Sequence, residues 1–358
     1  MGTPGNTAGD VLLKEAGDLA EWITEQQYAK QPDLNERFGP SGRVRTKMDS
    51  LYTLNYLAES VLVNSPALFL HYISWLKVLL EGYKVTGEDL KVNLEAMREA
   101  VESQFHHPQK DKILDFMDMG MMQSLKTTTM DSYITDSNPL AREARDYLEF
   151  LLQGQRMKAS KLIHKLMDRE ISIQALYKHI FQSTQYEIGR LWHTGTMNVS
   201  QEHYCTAVTQ SIISSLYPHW ITMGTKGLTL VAACVGSETH EIGLRMVADT
   251  FEMEGWDTYY LGANVPDSSL IHAIDEHQAD VVAVSVTMTY HIHLVRDLIA
   301  KIRADQRFEH VKIMVGGLPF NLDQNLWKEV GADGYAPDAE STVAVAEQLV
   351  SSHKNKVT

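Results

Sequence analysis

The sequence predicts a multidomain α plus α/β chain: helical modules first, then a doubly wound domain built on a five-stranded parallel sheet. Three observations carry this. From about residue 226 short apolar runs alternate with amphipathic stripes, the rhythm of strand–helix–strand crossovers. Between 140 and 225 helical stripes follow one another with no strand between them. Residues 46–130 are again helical in pattern and unusually rich in aromatic side chains.

In that first region Leu51, Leu54, Tyr56, Leu57, Val61 and Leu62 lead into the dense apolar stretch from Leu68 to Leu80. Tyr52, Tyr56, Phe69, Tyr72 and Trp75 stand out there. Two readings are open, a packed core or dimer face and a wall for a flat chromophore. Residues 103–112 and the Thr-rich 124–140 read as connections. In the second region Ala159, Leu162, Ile163, Leu166 and Met167 form one stripe, and Ser172 is placed to cap the next helix. That helix carries Leu176, Tyr177, Ile180, Phe181 and Ile188, and another runs from Ser200 to Tyr217 before Pro218 stops it. Four such helices can bury enough surface for a bundle. Strands are then expected at 228–235, Thr258–Leu261, 280–286, 311–315 and Gly334–Ala336. Helices are expected at 240–254, Ser268–Glu276, His291–Ala304, Leu322–Val330 and Ser341–Ser351, with a frayed tail at Lys354–Lys356. The expected division is 1–135, 136–225 and 226–358.

Composition narrows the function classes. With 32 Lys and Arg against 46 Asp and Glu, the formal charge of -14 argues against direct binding of nucleic-acid phosphates. No apolar run reaches the length of a membrane span, and the first residues lack a signal-peptide pattern. Two cysteines, Cys205 and Cys234, fall in a predicted helix and a predicted buried strand, which excludes a disulfide framework. A cytoplasmic protein is expected.

The most informative stretch is Glu238-Thr239-His240-Glu241-Ile242-Gly243, between the strand 228–235 and a stripe of Leu244, Val247, Ala248 and Phe251. It delivers a histidine at the carboxyl end of a strand, where doubly wound sheets bind ligands. A carboxylate two residues upstream can orient the imidazole. Alone, the hexapeptide also fits an ordinary surface loop. The downstream spacing decides between them. Forty-one residues separate Gly243 from Ser285-Val286-Thr287, and 28 separate Thr287 from Gly316-Gly317, each group closing a further apolar strand.

This pattern resembles the cobalamin-binding signature Asp-x-His-x-x-Gly, Ser-x-Thr and Gly-Gly, with Glu238 standing where Asp is usual. The resemblance implies a Rossmann-like domain with His240 as the lower cobalt ligand. Ser237, Glu238, Thr239, Ile242 and Gly243 would surround it, while Ser285, Thr287, Gly316 and Gly317 would line the slot for the nucleotide tail.

A second signature lies in the bundle: Trp192, nine residues, then Glu202-His203. It resembles the Trp-x9-Glu-His motif of CarH-type adenosylcobalamin photoreceptors. There Trp192 would cover the adenosyl group, Glu202 would hydrogen-bond it, and His203 would become an upper cobalt ligand after light. Without the resemblance, Trp192 reads equally as a helix-end core residue and Glu202-His203 as a solvated helix start. The family implies a non-enzymatic light sensor whose photolysis changes homo-oligomeric association or the binding of a protein effector. A corrinoid methyl carrier of a methyltransferase system is the alternative, sharing a bundle and this sheet. No basic helix-turn-helix arm precedes the bundle. The aromatic region in its place is similar to that of photocobilins, which implies biliverdin as a second chromophore; with no cysteine in 1–135, that region would hold it non-covalently.

Overall fold

The computed structural model describes residues 7–220 and 225–357, with side chains to Ser352. The predicted bundle-to-sheet boundary near 225 adjoins residues 221–224, which lie outside the described residues. The chain divides into two compact units, and neither is continuous in sequence. Residues 1–128 form one unit together with 286–297 and 318–331. Residues 129–285, 298–317 and 332–358 form the other.

The first unit is built on five helices: α1 (Ala8–Lys30), α2 (Leu34–Leu62), α3 (Pro66–Gly82), α4 (Gly87–Gln104) and α5 (Lys110–Ser124). Helix therefore begins well before residue 46, where the sequence pattern became conspicuous. Thr7 and Asp10 form a capping box at the start of α1, satisfying donors that a helix end leaves open. The helix then buries Leu12, Ala16, Leu19, Ala20 and Ile23 at helical spacing. A Cβ on Gly9 would lie 2.6 Å from the Ala58 carbonyl oxygen, so this glycine sets how closely α1 and α2 approach. Helix α2 kinks where Gly39 takes φ 61° just before Pro40. Arg37 of α2 grips the buried Asp89 of α4 with two nitrogens, at 3.0 and 2.7 Å.

Within this unit the segment that follows Ser285 is held by α2. The Glu59 carboxylate, fully buried, accepts from the His293 backbone at 3.1 Å and is paired with His293 Nδ1. Burial pushes Glu59 up, while its hydrogen bond and charge outweigh the desolvation of His293 and raise the imidazole. Tyr56 stacks on Tyr72 at 3.8 Å and meets Tyr290 edge-on at 5.5 Å.

The second unit opens with the bundle: α6 (Ala141–Leu152), α7 (Arg156–Met167), α8 (Ile173–Leu176) continuing through a π-helical turn (Tyr177–Gln182) into α9 (Ser183–His193), and α10 (Val199–Leu216). Ser172 caps as expected, accepting from Ala175 N at 3.2 Å. From the predicted stripes Ile163, Leu176, Ile180, Phe181 and Ile188 enter one core, joined by Tyr147 of α6 and Ile213 of α10. The sheet module follows as β1 (Thr229–Val235), α11 (Ile242–Met253), β2 (Asp257–Val265), α12 (Asp267–Glu276), β3 (Val281–Ser285), α13 (Ile292–Arg303), β4 (Lys312–Gly316), α14 (Leu318–Leu322), α15 (Leu326–Glu329), β5 (Gly334–Tyr335) and α16 (Ala339–Val357); of these, the first half of α13 and all of α14 and α15 belong to the first unit.

The strands lie in the order β2-β1-β3-β4-β5, and every pairing is parallel. Leu230, Ala232 and Cys234 of β1 share a core with Leu244, Ala248 and Phe251 of α11 and Val343, Ala346 and Val350 of α16. Three expectations need correction. The predicted helix Leu322–Val330 is two short ones, because the Asp323 side chain accepts from Asn325 N and turns the chain between them. Strand β2 reaches Val265, four residues past its predicted end, after register shifts against β1. Helix α16 keeps helical backbone to Val357, beyond the expected fraying point.

Candidate cobalamin site

The strand order reverses direction between β1 and β3, the switch point at whose carboxyl ends doubly wound sheets bind ligands. Register aligns the strand ends there. Cys234 pairs with Ser285, and Ser285 pairs with Gly316, one row across three central strands. Gly317 follows at φ 104°, a conformation that favours glycine. The spacing of the sequence motif is thus the length of one strand–helix crossover after another. Thr287, the third residue of its motif, lies beyond β3 in the first unit.

His240 stands on the loop after β1, before α11 begins. Glu238 organises that loop. One of its oxygens accepts from Thr239 N and His240 N at 3.0 Å each and from His240 Nδ1 at 2.5 Å. The carboxylate is 1% exposed and the imidazole 57%. With Nδ1 committed as a donor, Nε2 is the acceptor left for a ligand. The Glu238 side chain folds back to cap its own loop. The Glu238 hydrogen bond raises the His240 pKa against the effect of burial, and the charge of Glu202 adds to the rise. Ser237 and Thr239 are exposed, Ile242 is half-buried, and a Cβ on Gly243 or Gly316 would meet nothing within 4 Å.

Glu202 belongs to α10. Helix α9 ends just beyond Trp192, Gly195 turns the chain at φ 71°, and the Asn198–Gln201 capping box starts α10. This stop and restart create the nine-residue spacing. Glu202 accepts from Thr206 at 2.9 Å and is paired with His203 Nδ1 at 2.5 Å. The His203 side chain is 74% exposed, while Trp192 is half-buried. Burial raises the Cys205 thiol to about 11 and the Cys234 thiol to about 12, so neither is poised as a thiolate.

These residues fit a corrinoid. One outward imidazole with a fixed tautomer suits a metal whose other positions a macrocycle fills, and the two open glycines let a broad ring approach the backbone.

Comparison with known proteins agrees. B12 binding domain models match residues 143–217 and 228–345. Dimethylamine corrinoid protein 3 of Methanosarcina mazei is 30% identical over 121 residues, 34% of this chain and 71% of that protein. The chain belongs to the B12 binding domain family. It is a cobalamin-binding protein. Dimethylamine corrinoid protein 2 of Methanosarcina acetivorans is 31% identical over 121 residues, covering 55% of its length; the chain spans about half of several such relatives. Corrinoid protein DSY3155 of Desulfitobacterium hafniense is 21% identical over 206 residues, 56% of this chain and 94% of that one. The Methanosarcina barkeri monomethylamine corrinoid protein shares the fold, with TM-score 0.51 at 17% identity over 59% of this chain and 99% of that chain. Among the described residues no helix is long and apolar enough to cross a membrane.

Sequence reasoning passed over Glu241, although it sits inside the hexapeptide. Its carboxylate accepts from Gln210 of α10 at 2.8 Å, and from Tyr260 OH and Ala263 N of β2 at 3.0 Å each. A carboxylate beside the motif histidine was the available signal; its partners lie too far along the chain to be read.

Proposed function

We propose that this cobalamin protein is a light sensor using adenosylcobalamin. The observation that carries the reading is on α10. A second carboxylate–imidazole pair, Glu202 and His203, stands on the helical module, and the Glu202 charge is felt at His240 of the sheet module. His240 would hold cobalt from below through Nε2, its loop fixed by Glu238. Trp192 would exclude water from the upper face, and Glu202 would accept a hydrogen bond from the adenosyl group. His203, exposed and held at Nδ1, keeps Nε2 available as a second imidazole donor. The bound cofactor would supply a cobalt–carbon bond that green light breaks.

A methyl carrier of a corrinoid methyltransferase system is the second reading, favoured by the names of the relatives. A carrier must open its upper cobalt face to a partner enzyme, and a Trp, Glu and His cover of the kind proposed would oppose that. The absorption spectrum of the adenosylcobalamin-loaded protein, dark and after green light, separates the two. A lasting light-driven shift that depends on His203 supports the sensor; a spectrum unchanged by light, with methyl transfer from a methylated donor, supports the carrier. Tyr52, Tyr56 and Tyr290 present half-exposed ring surface in the first unit, with Tyr72 packed behind Tyr56. If they hold biliverdin, the same spectrum gains a far-red band after the pigment is added.

A further inference from the structure

Glu241 joins three elements through one side chain. Its first oxygen takes the Gln210 amide of α10, and its second takes Tyr260 OH and Ala263 N of β2. Strand β2 is shaped to allow this. Gly262 adopts φ 81°, and a Cβ there would lie 3.1 Å from the Glu241 oxygen. The register of β1 against β2 shifts at that point, turning Ala263 N toward the carboxylate. Asn264 N then donates to the Glu238 carbonyl at 3.0 Å, a second tie between the strand and the histidine loop. On the other side, Gln210 lies two helical turns beyond His203 on the same α10 helix.

We infer that Glu241 is a positioning residue that latches the His240 loop to the α10 helix, so that a displacement of α10 is transmitted to the lower imidazole. The inference rests on His240 being the cobalt ligand, and it deepens that assignment. The residue before Glu241 is the ligand, and the residue after it begins α11, so no slack separates the latch from the imidazole. A carboxylate with donors from both sides cannot follow α10 without drawing on β2. Loop and helix therefore shift together, or the hydrogen bonds to Glu241 break.

The test uses Gln210→Ala, which removes only the α10 side, Tyr260→Phe, which removes only one β2 donor, and Glu241→Gln. Hydrogen exchange on the cobalamin-free protein reads the latch directly. Gln210→Ala is expected to speed exchange in residues 236–243, remote in sequence from the change, and to weaken hydroxocobalamin binding by about 10–100-fold, as loss of a ligand-orienting partner does. Tyr260→Phe should act in the same direction. Glu241→Gln should stay near wild type, since the Gln210 amide can turn its oxygen toward the new NH2 while the remaining carbonyl keeps the β2 donors. Exchange changed only within α10, with affinity unaltered, would overturn the latch. His240→Ala is run in parallel. If it binds cobalamin as the wild type does, the ligand assignment fails, and the exchange data still decide whether Glu241 couples helix to loop.

Discussion

At the residue scale two imidazoles, His240 and His203, are held in the same way, each by a carboxylate on Nδ1. They differ in what fixes the carboxylate. Glu238 is buried and bound to its own loop, whereas Glu202 is partly exposed on a helix surface. His240→Ala is therefore expected to abolish tight cobalamin binding or leave a spectrum without the axial imidazole, read by spectral titration. His203→Ala should bind adenosylcobalamin normally in the dark and fail to give the two-imidazole spectrum after green light. If Trp192 covers the adenosyl group as proposed, Trp192→Ala should cost roughly 3–5 kcal/mol of binding, the effect of truncating a packed aromatic. Its signature would be a larger loss for adenosylcobalamin than for methylcobalamin; equal losses would favour the carrier.

At the element scale, the helix–helix contacts of the first unit make two sharp tests. Burial would raise the Asp89 carboxyl, but its hydrogen bonds to Arg37 and Thr86 outweigh that and hold its pKa below the ordinary value. A depressed carboxylate contributes stability that is present above the unfolded pKa and is lost as pH falls through the folded one. Arg37→Ala should cost about 1–3 kcal/mol at neutral pH, and the gap to wild type should close in acid, measured by denaturant unfolding across pH. Gly9→Ala places a methyl against the Ala58 backbone, a clash no side-chain rotation relieves, and is expected to cost about 1–3 kcal/mol. The elements were unevenly legible. Strands 228–235 and 311–315 were plain because both faces of each are buried, giving continuous apolar runs. Within the helical domain expected over 1–135, Thr7, Asp10 and the Leu12–Ile23 stripe announce α1, but the aromatic run after residue 50 is the louder signal. Strand β2 was cut short because Gly262 reads as a terminator when it is a bulge. Glu241 was legible as a residue but not as a junction, since its partners are set by tertiary packing.

At the scale of the whole molecule, the light sensor proposed here predicts a change of association. Packed helices move between discrete arrangements rather than by degrees, and a cofactor biases them only through different interactions with the two states. Size-exclusion chromatography with light scattering, on one loaded sample before and after green light, should give different masses or elution. Identical profiles would remove the association switch while leaving the cofactor assignment standing.

The first unit closes only when the chain returns to it twice, at 286–297 and again at 318–331. A gene fragment ending at Thr128 would encode five helices and omit the partner of a carboxylate sealed inside them, for Glu59 meets His293 only on the return. Shuffling by simple fusion, the usual way modules spread between proteins, cannot transplant such a unit intact. Grafting the five helices onto another corrinoid protein will succeed only if both return segments travel with them.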